Sequence, residues 1–141
     1  MKVFERNLRL LRAAGFSPTA LRVPTDEDPE GILALAAPDR LYAVWSDEHE
    51  PGFVRVTTGM GFAPGEAPEE ATLLRLANEA NRASRFVRTA VEGRHRVEFS
   101  FEAALDDPEG LPRAIEAALP ALARVADDFF ERMYLPGPGS A

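Results

Sequence analysis

The chain has 141 residues, 45% of them hydrophobic and 28% charged, with a formal net charge of −7 at pH 7. That length and composition fit one globular domain with its own core and exclude a disordered or fibrous chain. The lack of any Cys excludes disulfide frameworks, thiolate zinc sites and cysteine nucleophiles, and the acidic balance opposes binding to nucleic acid or an anionic membrane.

The opening stretch "MKVFERNLRLLRAAGF" is amphipathic and lacks the unbroken apolar core of a signal peptide. No segment approaches the roughly 18 apolar residues of a membrane span, so a soluble, cytoplasmic protein is expected. Phe4, Leu8 and Leu11 share one side with Val3, Leu10 and Ala14, which predicts a helix from about Val3 to Ala14 that Gly15 stops. Pro18, Pro24, Pro29 and "TDEDPEG" then predict a surface loop, with room for a short edge strand near Leu21 to Val23.

Short extended segments follow at Ile32 to Ala37, Leu41 to Ser46 and Phe53 to Thr58, separated by "PD" and "DEHEPG". Connections this short favour antiparallel neighbours. Pro68, Glu69 and Glu70 mark a helix start, and Leu73, Leu76, Ala77, Ala80 and Ser84 form its buried stripe. Phe86 to Val91, a turn at Glu92-Gly93, and Val97 to Phe101 read as a hairpin. In its second strand Val97, Phe99 and Phe101 alternate with Arg96, Glu98, Ser100 and Glu102, so one face is core and the other is open. The last helix begins near Pro108 to Pro112 and reaches about Tyr134. Leu111, Ile115, Ala118, Leu122, Val125, Ala126, Phe129 and Met133 lie on one stripe, with Pro120 opposite, where it bends or divides the helix.

The predicted order is therefore α-β-β-β-α-β-β-α. It describes an α+β fold whose antiparallel sheet of about five strands carries its helices mainly on one face. Residues 1–135 are expected to form a single domain and 136–141 a flexible tail.

Few motifs carry chemistry. "GFVRVTTGMGFAPG" has its third glycine one place late for a dinucleotide loop, and prolines intervene before the helix. "SDEHE" gathers Asp47, Glu48, His49 and Glu50, but adjacent loop residues lack the defined geometry of a catalytic metal set. His49 and His95 are the only bases suited to neutral pH; each has a serine nearby, Ser46 and Ser100, yet no nucleophile elbow surrounds either. A hydrolase or metal-dependent enzyme built on His49 or His95 is thus the weakest reading. No cofactor and no metal are expected.

The large hydrophobic side chains are Tyr42, Trp45, Phe53, Phe62, Phe129 and Phe130. Phe129 and Phe130 lie about 100° apart on a helix, so burying both needs a wide apolar face or a partner. Of Tyr42 and Phe53, at least one is expected to look away from the helices. "ANEANRASRF" places Asn78 and Asn81 where helix hands over to strand. With Leu73 at the centre of the buried stripe, Asn81 lies about 80° from it and Asn78 further out. Asn81 is therefore expected to turn its amide toward the backbone of the following strand, and Asn78 toward solvent or a neighbouring chain.

The element order, "LRAAGF", "NEANRASRF" and the long amphipathic last helix together resemble the YbjN family, small bacterial domains described as candidate sensory transduction regulators. Their fold is similar to that of type III secretion chaperones. The resemblance runs from about Val3 to Met133 and is most specific at Asn78, Asn81 and Phe86; Ala80 replaces an aromatic familiar between the asparagines, and Pro120 interrupts the last helix. It implies a non-enzymatic, homodimeric module that binds a partner protein segment through an apolar sheet and helix surface, in a chaperone-like or regulatory role. The candidate partner-binding or structural residues are Tyr42, Trp45, Phe53, Asn78, Asn81 and Phe130. The alternative is a small-ligand-sensing domain with its pocket between the sheet and the C-terminal helix, where the asparagine amides orient a polar molecule.

Overall fold

An apolar residue at every third or fourth position needs a surface to cover, and each such run forms a helix against one side of a sheet. The computed structural model describes residues 2–38, 40–93 and 96–134. Helix α1 (Lys2–Ala13) buries Val3, Phe4, Leu10 and Leu11 and ends at Gly15, whose φ of 95° supplies the left-handed stop. Helix α2 (Glu70–Ala83) buries Leu73, Leu76 and Ala77. Helix α3 (Leu111–Tyr134) buries Leu111, Ile115, Ala118, Leu122, Ala126 and Phe129. Pro120 lies within α3 on its exposed side, and the helix runs through it without dividing.

The strands are β1 (Thr19–Arg22), β2 (Glu30–Ala37), β3 (Arg40–Asp47), β4 (Glu50–Gly61), β5 (Arg88–Glu92) and β6 (Arg96–Ala104). They form one antiparallel sheet in the order β1-β2-β3-β4-β6-β5. The sheet has six strands, where the sequence pattern predicts about five. The sixth is β1, the short edge strand for which the sequence leaves room near Leu21 to Val23; it runs Thr19–Arg22, and all four of its residues are exposed, so it has no alternation to count. The expected α+β class and the helices on one side of the sheet are both present. Strand β5 begins at Arg88, so Phe86 belongs to the preceding turn. Asp39, His95 and the tail expected at 136–141 lie outside the described residues.

Strand pleating sorts the side chains. Leu33 and Leu35, Tyr42 and Val44, Val54 and Val56, and Val97 and Phe99 face the helices and are buried. Phe99 meets Phe129 of α3 edge to face, with ring centroids 5.5 Å apart. The β3–β4 hairpin turns on Glu48 and His49, and no non-glycine residue among those described has positive φ. A register irregularity between Trp45 and Asp47 accommodates this turn, which lacks the left-handed residues of the tightest hairpins.

Candidate binding surface

Successive residues of a strand point to opposite faces, so the same pleat that fills the core sends a second set of side chains to the outer face. Ile32, Trp45, Arg55 and Glu102 are direct cross-strand neighbours and form one row over β2, β3, β4 and β6. Beside it runs a row of smaller residues, Ala34, Ala43, Thr57 and Ser100. The Trp45 indole N–H donates to the Thr57 hydroxyl at 3.0 Å, which fixes the ring over the smaller row. The Arg55 guanidinium stands 5.4 Å from the ring centroid, a cation–π distance. Arg55 also pairs with Glu98 and, at 3.5 Å, with Glu102. Leu41 on the same face is 55% exposed, and Phe53 is half-buried above a hollow it shares with Glu102 and Ala104. The outer face therefore holds a pinned aromatic ring, an arginine–carboxylate ladder and scattered apolar side chains.

The sequence candidates do not converge on one site. Tyr42 points inward: it is 4% exposed, and its hydroxyl reaches the Leu119 carbonyl of α3 at 3.4 Å. Trp45 and Phe53 share the outer face. Phe130 lies on the side of α3, 50% exposed, and its ring stacks obliquely on Tyr134 at 4.9 Å. It borders a cleft of about 310 Å³ with Arg40, Met60 and Asp127, where Arg40 is paired with Asp127 at 2.6 Å.

Asn81 donates to the Thr89 carbonyl at 2.9 Å and accepts from the Thr89 amide at 2.7 Å. Both backbone groups of Thr89 thus point away from β6, and the asparagine amide pairs with them as a further strand would. Asn78 is exposed and makes no side-chain hydrogen bond among the described residues. Neither asparagine borders the cleft beside Phe130, so the asparagine-lined ligand pocket that the sequence allows is not formed there.

The reading built on His49 gains no geometry, and the one built on His95 falls outside the described residues. His49 is exposed on its turn, and its amide donates to the Asp47 carboxylate at 2.8 Å. No group of three or more His, Asp or Glu side chains among the described residues could hold a metal ion. Glu48 instead caps a helix. Its carboxylate accepts from the first amides of α1, Val3 at 3.2 Å and Phe4 at 2.8 Å. Burial pushes this carboxyl up, yet it is held below its ordinary 4.5, with the hydrogen bonds from Phe4 and Val3 among the lowering causes. By sequence alone Glu48 reads as one of several solvated acids, because a cap supplied from a distant turn leaves no local spacing to detect.

No protein-family model matches the chain, and no curated protein matches its sequence. No helix of the described residues is long and apolar enough to cross a membrane. The crystal structure of YbjN, a candidate transcription regulator from E. coli, is similar in fold, with a TM-score of 0.62 over 94% of this chain and 96% of that one. The two sequences are 12% identical, so the likeness to YbjN is one of fold.

Proposed function

We propose that this protein is a non-enzymatic, cytoplasmic interaction module that binds a segment of a partner protein in a chaperone-like or regulatory role. The observation that carries this reading is the outer face of the sheet, which no helix of the described residues covers, with Trp45 fixed at its centre between Thr57 and Arg55. Tryptophan and arginine are among the side chains that most often anchor protein interfaces, because each offers a large contact area together with directed polar contacts. The apolar neighbours Ile32, Leu41 and Phe53 extend the contact, while Glu98 and Glu102 keep Arg55 oriented. The regulatory description of YbjN is compatible with this role, although shared folds do not carry activities with them.

Trp45 is the only tryptophan of the chain, so its fluorescence reports this face alone. Partners captured from the native cytosol should shift its emission when added back to the purified protein. Trp45→Ala and Phe53→Ala should each weaken capture without loss of fold. Retained capture by both variants, with unchanged Trp45 emission, would place binding elsewhere. Small-ligand sensing would instead use the cleft beside Phe130, and would show as metabolite-dependent stabilisation sensitive to Phe130→Ala but not to Trp45→Ala.

A further inference from the structure

A second surface lies on the opposite side of the molecule, where the end of α2 meets the middle of α3. Ala83, Phe86, Ala121 and Val125 line an open groove of about 360 Å³, and Arg85 and Arg124 flank it. Phe86 is 73% exposed, yet its place is fixed. The Ser84 hydroxyl accepts from the Val87 amide at 3.1 Å on one side of the turn, and Asn81 clamps Thr89 on the other. A large ring held out in a pinned turn costs little entropy when a partner covers it.

The charges are as informative as the ring. Arg22, Arg40, Arg55, Arg75, Arg96 and Arg132 all have acidic partners. Arg85 and Arg124, like Arg6, Arg9, Arg12, Arg82, Arg88 and Arg113, have none among the described residues, and these two are the ones that border the apolar groove. Two unneutralised guanidinium groups thus rim an apolar groove between two helices. From this we infer that the groove docks an acidic amphipathic helix of a partner protein, with apolar side chains against Phe86, Ala121 and Val125 and carboxylates paired to Arg85 and Arg124. Helix-in-groove recognition needs such an apolar floor with charges at its rim. The net charge of −7 separates this occupant from a nucleic acid. A long polyanion extends into the repulsive field of the rest of the protein, whereas a few carboxylates seated at the groove meet the arginines within a Debye length of about 8 Å.

The test uses the full chain and a fluorescein-labelled synthetic helix with leucines on one face and glutamates beside them, read by fluorescence anisotropy. Binding is expected, and Phe86→Ala should weaken it by about tenfold or more. Arg85→Glu with Arg124→Glu should abolish it, the milder Arg85→Gln with Arg124→Gln should weaken it, and Trp45→Ala should leave it unchanged. Arg85, Phe86 and Arg124 are all exposed, and unchanged thermal unfolding confirms that the fold persists in their variants. The proposal is overturned if the acidic helix does not bind, if a lysine-bearing counterpart binds as well, or if the groove variants bind like the parent. Displacement of the peptide by a single-stranded oligonucleotide would overturn it in favour of nucleic acid. Because Trp45 and the groove are probed by separate variants, failure here leaves the outer-face reading standing, and the converse also holds.

Discussion

Asn81 and Asn78 are chemically identical and three residues apart, yet the fold gives them different work. Asn81 pairs with both outward backbone groups of Thr89 on the edge strand β5, which without it would face solvent or a wandering strand. Asn81→Ala should therefore cost about 1–2 kcal/mol in urea unfolding, and Asn78→Ala should be nearly silent; equal effects would contradict the edge-cap role. Glu48 gives a pH-dependent counterpart. Its folded-state pKa lies below the ordinary 4.5, so the folded chain binds this proton less readily than the unfolded one. Its stabilisation is complete above that ordinary value and is lost as pH falls through the lower, folded one. Glu48→Ala should cost about 1 kcal/mol at neutral pH, and the gap between variant and parent should close as a titration of thermal unfolding is carried downward through that range. The asparagine role is legible in the sequence because the 100° step along a helix fixes which residue can reach the next strand. The glutamate role is not, because its partners in α1 lie 44 and 45 positions away.

Elements that bury one face announce themselves by period, and the core-facing strands and all three helices lie close to their expected places. β1 shows the limit of that logic: it is bounded by Pro18 and Pro24, all four of its residues are exposed, and only its pairing with β2 makes it a strand. The outer-face ladder is hidden for a related reason. Arg55, Glu98 and Glu102 alternate with apolar residues and read as solvated positions, and only the β4–β6 register brings them together. Close approach between elements is equally invisible in one dimension. A Cβ built on Gly52 would lie 2.5 Å from the Leu105 carbonyl, so the β4–β6 end tolerates no side chain there. In α3, Pro120 sits on the exposed side and leaves the helix unbroken, so it contributes a missing hydrogen bond and no core contact that would offset it. Pro120→Ala should raise the unfolding midpoint, by up to about 3 kcal/mol in free energy. A loss of stability would mean that the backbone geometry proline imposes helps keep α3 against β4 and β6.

At the scale of the whole molecule, the arrangement of edges and faces decides how two copies can meet. Sheet extension is poorly served at both ends. Asn81 occupies the outward groups of Thr89 in β5. At the other end, β1 is four residues long, interrupted by a register shift and flanked by prolines, all devices that blunt an edge. The homodimer that we propose for this chain is therefore better served by face-to-face packing of the outer sheet surface, where Ile32, Trp45 and Phe53 would be covered. A two-fold interface of this kind places the same patch on both subunits, and one charge introduced at its centre meets its own copy. Light scattering over a range of concentrations should show a dimer that Trp45→Arg converts to monomer. Dilution of the parent protein should shift Trp45 emission to the red as the ring becomes wet. Binding of a client to the same face should likewise dissociate the dimer, coupling assembly to occupancy through shared surface. A dimer that withstands Trp45→Arg, with emission independent of concentration, would assign self-association to another surface and leave the outer face to the partner alone.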